Sequence, residues 1–350
     1  MKIGIHSREG SYTEKWIEYC DINAVPYKLV DCYHSGIINE LEDCDALMWH
    51  WNQNDYKAAL FARQLTCALE LLGKKVFPDY NTCWHHNDKL GQKYLFEAAG
   101  APLANVHVFY TKKEAEKWLD ETSFPKIFKL RGGAASVNVW QVNNRKEAQR
   151  ILNRAFGRGI DSFNNRGRLR DKLWVLKRDK NLHSLKSVFT DIARFFIKTE
   201  LAKFSPREKG YVYFQDFLPG NEFDTRLAVI GNRCFGVRRY IRTNDFRASG
   251  SGVRAYEPGL FDHRCIRIAF DLAEKLKLQS AAFDFMWDGD EPRLIEVSYC
   301  SPVGAFYEDC PGYWDNELYW HSEKVAPQKF MIEDFLGSLH EEKNVSITGS

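Results

Sequence analysis

Two acidic residues, Asp284 and Glu296, sit in a stretch whose pattern brings them together. The runs Ala281-Ala282-Phe283-Asp284-Phe285-Met286-Trp287-Asp288 and Pro292-Arg293-Leu294-Ile295-Glu296-Val297-Ser298 flank Gly289-Asp290-Glu291. Two aromatic or β-branched runs around a short glycine-containing loop read as a β-hairpin. If Asp288 pairs with Pro292, then Met286 faces Leu294, Asp284 faces Glu296, and Ser298 lies two residues further along the same face. Carboxylates directly opposite one another stand about 5 Å apart at Cβ and repel. A cation between them removes the repulsion. Mg²⁺ suits that position, being a hard ion that takes carboxylate and phosphate oxygens in octahedral geometry. A two-residue Asp288-Gly289 turn would instead set Asp284 opposite Arg293 as a structural ion pair. The hairpin alone does not choose between the two.

Other groups with chemical potential are ambiguous singly. Lys93 lies on a helix that begins near Asn87-Asp88, residues that accept hydrogen bonds from open backbone N–H groups. The same helix ends near Gly100, with Pro102 beyond it. A lone lysine there is ordinarily solvated. Gly132-Gly133 could be a plain turn or a loop that lets a phosphate approach the backbone. Between Arg154 and Lys209 fifteen Lys or Arg stand against six Asp or Glu. This basic insertion would attract an anionic substrate, or it is a solvated helical face.

The elements that must position these residues follow a simple order. Strand patterns over Lys2–His6, Tyr27–Tyr33, Asp45–Trp51 and Lys75–Phe77 alternate with helical patterns over Tyr12–Asn23 and Tyr56–Leu72. Pro78-Asp79-Tyr80-Asn81 reads as a turn. Such alternation predicts a parallel sheet with covering helices. No Gly-x-Gly-x-x-Gly follows the first strand, which argues against a dinucleotide site. Strand patterns return from Tyr211 to Ser301, with a helix across Cys265–Leu276. We therefore expect an α/β domain over residues 1–86, a central lobe over 87–210 with the basic insertion at about 155–209, and a last lobe over 211–340 with the acidic hairpin and an aromatic tail.

Composition bounds the function classes. The hydrophobic share of 44% and the charged share of 27% are those of a globular protein. No apolar run approaches the roughly 18 residues of a transmembrane helix. Nine cysteines without a Cys-x-x-Cys pair point away from a disulfide framework or zinc site and towards a reducing cytoplasm.

Four separated motifs resemble those of the ATP-grasp superfamily, in the order that superfamily has them. Asp88-Lys89-Leu90-Gly91-Gln92-Lys93, followed by Ala99-Gly100-Ala101-Pro102, is similar to a helix of the D-alanine–D-alanine ligases, in which the second lysine reaches the ATP phosphates; Lys93 takes that place. Phe124-Pro125-Lys126-Ile127-Phe128-Lys129 and the following Gly132, Gly133 and Ser136 resemble the strand and small-residue loop over the triphosphate, with Lys129 the lysine and the loop N–H groups free. Gln215-Asp216-Phe217-Leu218-Pro219-Gly220-Asn221-Glu222 is similar to the hinge. There Gln215 and the backbone of Phe217 and Leu218 would meet adenine, and Glu222 the ribose. Asp224-Thr225-Arg226, Arg238-Arg239 and Asn244-Asp245-Phe246-Arg247 resemble the branch that adds glutamate to protein or cofactor tails, so Arg226, Arg239 and Arg247 would hold the transferring phosphate. The acidic hairpin is the fourth motif, implying one or two magnesium ions (or Mn²⁺) on Asp284, Glu296 and Ser298. Ser298 departs from the family's asparagine, and Ala282 replaces an oxyanion-stabilising arginine, which argues against D-alanine ligation.

The resemblance implies an ATP-grasp fold, α/β with α+β grasping lobes, and an ATP- and magnesium-dependent ligase. It would join a small-molecule or glycan carboxylate to an amine through an acyl phosphate. A kinase on the same fold and a nucleotide-binding scaffold without turnover are the alternatives. A nucleic-acid partner at the basic insertion is disfavoured by the absence of familiar RNA-recognition motifs.

Overall fold

The computed structural model describes residues 1–133, 138–162, 204, 206–241, 247, 252–299 and 307–348, the last seven by backbone alone. By its contacts the chain forms two compact units, one of Met1–His86, Leu95–Pro102 and Asn221–Ser350, the other of Asn87–Tyr94 and Leu103–Gly220.

The first unit opens with β1 (Ile3–His6), α1 (Thr13–Ile22), β2 (Tyr27–Val30), α2 (Ile37–Glu40), β3 (Ala46–Met48), α3 (Tyr56–Leu71), β4 (Lys75–Phe77) and α4 (Tyr80–Cys83). Its strands pair in parallel in the order β2-β1-β3-β4. Ile3, Ile5, Ala46, Leu47 and Met48 are all buried, as strands covered on both faces require. α3 starts where the Asp55 carboxylate accepts from the Lys57 N–H at 2.9 Å. The stretch read as a turn at Pro78–Asn81 instead opens a helical turn. Asp79 accepts from Thr82 N–H at 2.8 Å and caps α4.

The second unit contains the start of α5 (Lys89–Ala99), then β5 (Val106–Phe109), α6 (Lys112–Glu121), β6 (Lys126–Lys129), β7 (Val139–Val142), α7 (Arg145–Ala155) and β8 (Val212–Asp216). These strands form an antiparallel sheet in the order β5-β8-β6-β7. Phe128, Val142 and Phe214 pack on Ala115 and Leu119 of α6 and on Ala148 and Leu152 of α7. Strand periodicity of two then turns Ile127, Lys129, Tyr213 and Gln215 to the other face.

The first unit resumes with β9 (Phe223–Ile230), β10 (Arg233–Tyr240), β11 (Arg254–Ala255), α8 (His263–Lys275), β12 (Ser280–Asp288), β13 (Glu291–Ser298), β14 (Tyr313–Trp314), β15 (Trp320–His321) and α9 (Pro327–Thr348). They make a seven-stranded sheet, β13-β12-β9-β10-β14-β15, with β11 beside β10. Ala228, Ile230, Val237 and Ala282 on one face join Phe330, Phe335 and Leu339 of α9 and Ile3, Ile5 and Trp16 in a single apolar core. Among the described residues no helix is long and apolar enough to cross a membrane.

Candidate active site

The hairpin forms, and Asp284 opposes Glu296. The path to that pairing differs from the expected one. The strands join through a two-residue turn, with Asp288 opposite Glu291 and Gly289 at φ +61°. Met286 therefore faces Arg293 and not Leu294, and Asp284 would meet Ile295 if pairing ran on unbroken. A bulge between Asp284 and Phe285 adds one residue on β13 and restores Asp284 to Glu296. Ser298 lies opposite Ala282. Arg293 is drawn to Asp288 at 3.7 Å, so the Asp284–Arg293 pair does not form.

Asp284 is engaged by two other arginines. Arg226, its cross-strand partner on β9, donates Nε to Oδ1 at 2.6 Å and Nη2 to Oδ2 at 2.7 Å. Arg239 Nη2 lies 3.0 Å from Asp284 Oδ2. Arg239 also grips Asp224, its cross-strand partner, with Nε at 2.6 Å and Nη2 at 2.5 Å from the two carboxylate oxygens. Asp224, Arg239 and Asp284 are each 4% exposed. Burial by itself pushes the Asp284 carboxyl up, but Arg226 and Arg239 outweigh it and hold its pKa at about 2. Burial likewise opposes the charge on Arg239, and the two aspartates raise its pKa nonetheless.

The magnesium expected on this hairpin can be tested against that arrangement. Glu296 and Ser298 carry oxygen donors of a kind that suits a hard cation. Asp284 does not fit: both its oxygens face guanidinium nitrogens within 3.0 Å, so a divalent ion bonded to it would lie against two fixed positive charges. Among the described residues no group of three His, Cys, Asp or Glu side chains could hold a metal ion.

In the second unit Lys129 is 7% exposed on β6 and Gln215 is 4% exposed on β8. Gln215 pairs with Ile127, which leaves Lys129 a diagonal neighbour on the same face. Lys93 is half-buried, with its ammonium 4.5 Å from the Tyr94 ring centroid. The glycine loop corrects an expectation. Its N–H groups are not all open, because Gly133 N–H donates to Asn87 Oδ1 at 2.8 Å and Arg131 N–H to the Tyr211 hydroxyl at 2.6 Å. Asn87 can reach it because its own backbone is left-handed, φ +56°, just before α5. Lys89 adds a clamp, donating Nζ to the Gly133 carbonyl at 2.9 Å, while its N–H donates to the Arg131 carbonyl at 3.0 Å.

Solved structures share this fold at low sequence identity. N5-carboxyaminoimidazole synthetase from Staphylococcus aureus, complexed with ADP, superposes with a TM-score of 0.53 at 12% identity, covering 86% of this chain and 70% of its own. D-alanine–D-alanine ligase from Bacillus anthracis gives 0.50 at 15% identity over 98% and 99% of the two chains. D-cycloserine synthetase DcsG gives 0.50 at 13% identity over 88% and 96%. The chain has the ATP-grasp fold. No protein-family model matches the sequence, and no curated protein is similar enough to match it.

On the ATP-grasp fold the remaining candidates fall as follows. Phe217 and buried Leu218 follow β8, and Glu222 is exposed just before β9, its carbonyl accepting from Ile241 N–H at 2.7 Å. Arg247 is half-buried. Ser136, the stretch Asn244–Phe246 and most of the basic insertion lie outside the described residues. Sequence reasoning passed over Asp224 and Lys89. A signal for Asp224 existed: Gly231-Asn232 is a two-residue turn between Ile230 and Arg233, and counting back from it pairs Asp224 with Arg239.

Proposed function

We propose that this chain is an ATP-dependent carboxylate–amine ligase that works through an acyl phosphate. The observation that carries this reading is that one strand face in each unit gathers polar and cationic residues of the motifs: Lys129 beside Gln215, and Arg226 beside Arg239. In this reading Gln215 and the backbone of Phe217 and Leu218 hold adenine, Glu222 the ribose, and Lys93, Lys129 and the loop of Gly132, Gly133 and Ser136 the phosphates. Arg226, Arg239 and Arg247 offset charge on the transferring phosphoryl group, a role suited to a planar fork that stays charged. A divalent cation would neutralise phosphate charge when bound, and Glu296 and Ser298 have donors for it.

The chemistry balances without a further co-reactant. A carboxylate oxygen attacks the γ-phosphorus, the bond to the β-phosphate oxygen breaks, and ADP leaves. The amine then attacks the acyl carbon, the carbon–oxygen bond to phosphate breaks, and the nitrogen gives up its proton. Positioning and fixed charge supply most of the acceleration in such transfers. The substrates are a small-molecule or glycan carboxylate and an amine, with an anionic substrate at the basic insertion. We place the reaction in a reducing cytoplasm, in keeping with eight described cysteines that are all free.

A screen of carboxylate and amine pairs, uronic acids and amino acids included, tests the reading. ADP release should need the carboxylate and rise when the amine is added. A stable phosphate ester formed without any amine would replace the ligase with a kinase.

A further inference from the structure

We propose that Asp284 is a positioning residue whose carboxylate fixes the guanidinium groups of Arg226 and Arg239 on the sheet face, in place of ligating a metal ion. Three adjacent strands change character at nearly the same level: Ala228 gives way to Arg226 on β9, Val237 to Arg239 on β10, and Ala282 to Asp284 on β12. The apolar core therefore runs straight into a patch of two arginines and two aspartates, Asp224 being the fourth member. Opposite charges alternate through it: Arg226 binds Asp284, Asp284 binds Arg239, and Arg239 binds Asp224.

Every link is a short charge-assisted bond, and two of the three are forked, with Nε and Nη2 of one arginine on the two oxygens of one carboxylate. Forked pairing fixes the plane of the guanidinium as well as its position. Burial makes each member depend on the others, since a buried charge that loses its partner is strongly destabilising. Asp284 is bonded to both arginines, so it helps to set their separation and their tilt. A divalent ion taking one of its oxygens would have to displace an arginine from a buried pair. The consequence for catalysis rests on the ligase reading; the geometry itself does not.

The two roles for Asp284 predict opposite signs in the full chain without nucleotide or metal. As one of two opposed carboxylates awaiting a cation, its conversion to Asn would relieve repulsion and leave the protein as stable or more so. As the anchor of buried Arg239 and part-buried Arg226, Asp284→Asn should raise the unfolding equilibrium constant about 100-fold or more, read from urea titrations. Arg226→Met combined with Asp284→Asn leaves Arg239 paired with Asp224. The double variant should therefore lose at least about tenfold less than the product of the two single losses. If the single variant does not fold, recovery of folding in the double variant supports the proposal, and its failure overturns it.

Mn²⁺ titration by electron paramagnetic resonance, with a non-hydrolysable ATP analogue present, supplies the second arm. Asp284→Asn should keep the wild-type Mn²⁺ affinity within about threefold, whereas loss of a direct ligand would weaken it by more than the roughly 10- to 100-fold that removal of an outer-shell partner costs. An Asp284→Asn protein as stable as wild type, or one with Mn²⁺ affinity lowered tenfold, would overturn the proposal. A chain that binds no nucleotide but shows the coupled stabilities would overturn the ligase reading and leave this one standing.

Discussion

The parallel and antiparallel sheets of the first unit both bury ionisable groups, and they treat them in opposite ways. Beside the parallel sheet His50 accepts from Tyr12 N–H at 3.1 Å and stacks on the Tyr12 ring at 3.9 Å. Burial, with a smaller push from Arg8, lowers its pKa to about 3, so the imidazole is neutral. In the antiparallel sheet Asp284 is as deeply buried, and its pKa of about 2 keeps it charged because two arginines meet it. Burial without a counter-charge removes the charge, and burial with one preserves it. The first arrangement leaves a neutral ring in the scaffold; the second holds two guanidinium groups in fixed orientation against two carboxylates.

The comparison breaks most visibly at Arg239, the cation shared by Asp224 and Asp284. Replacing it with Met should cost about 3–5 kcal/mol of stability, because buried Asp224 loses the arginine that grips it and buried Asp284 loses one of its two. Arg239→Lys keeps the charge and loses the fork, so it should unfold at a higher urea concentration than the Met variant while the chemical step still falls. An Arg239→Met protein with wild-type stability would mean that the network contributes nothing to the fold.

Lys129 tests the second unit in the same spirit. Lys129→Met should lower turnover on the order of 100-fold, the scale of losing one fixed charge, with a smaller effect on stability. A fall in stability with unchanged turnover would make Lys129 a packing residue.

His50 sharpens the neutral side of the contrast. Its folded pKa lies below its unfolded value, so its contribution is complete above about pH 6.5 and drains away as pH falls towards 3. Stability should drop by up to about 1.4 kcal/mol per pH unit through that range. His50→Asn should be flatter by that slope in urea titrations at pH 7, 6 and 5. Parallel profiles would show that His50 is charged in the folded protein or that its burial is incomplete.

Gly289 gives the smallest effect. Nothing lies within 4 Å of where a Cβ would stand, so Gly289→Ala pays only for the left-handed backbone, about 1 kcal/mol. Gly289→Asn should cost less, and equal losses would place the strain elsewhere in the turn.

Much of this architecture was legible before the structure. The strands and the two long helices expected in the first eighty residues fall within three residues of their expected ends, because each has a clear apolar pattern, whereas the short α2 was not expected. Gly100 ends α5 as expected, with φ +69° and the Ala101 N–H returning to the Phe96 carbonyl at 2.9 Å. The hairpin was legible as a hairpin, and its key pairing was right for a different reason. A tight turn and a bulge offset one another, and neither leaves a mark in the hydrophobic pattern. The arginine–aspartate network was harder to read, since it depends on the register of three strands at once. Lys89 was out of reach, because it and Lys93 share one helix and only burial distinguishes the clamp from its neighbour.

The most direct test of the account is the product balance of a single turnover with hydroxylamine present. With ATP and the right carboxylate but no amine, the chain should form ADP slowly, and hydroxylamine should convert the activated acid to a hydroxamate, one per ADP. With the amine, one ADP and one phosphate should appear for each amide. Formation of AMP and pyrophosphate, or ADP release that needs the amine and never yields a hydroxamate, would contradict the acyl-phosphate mechanism.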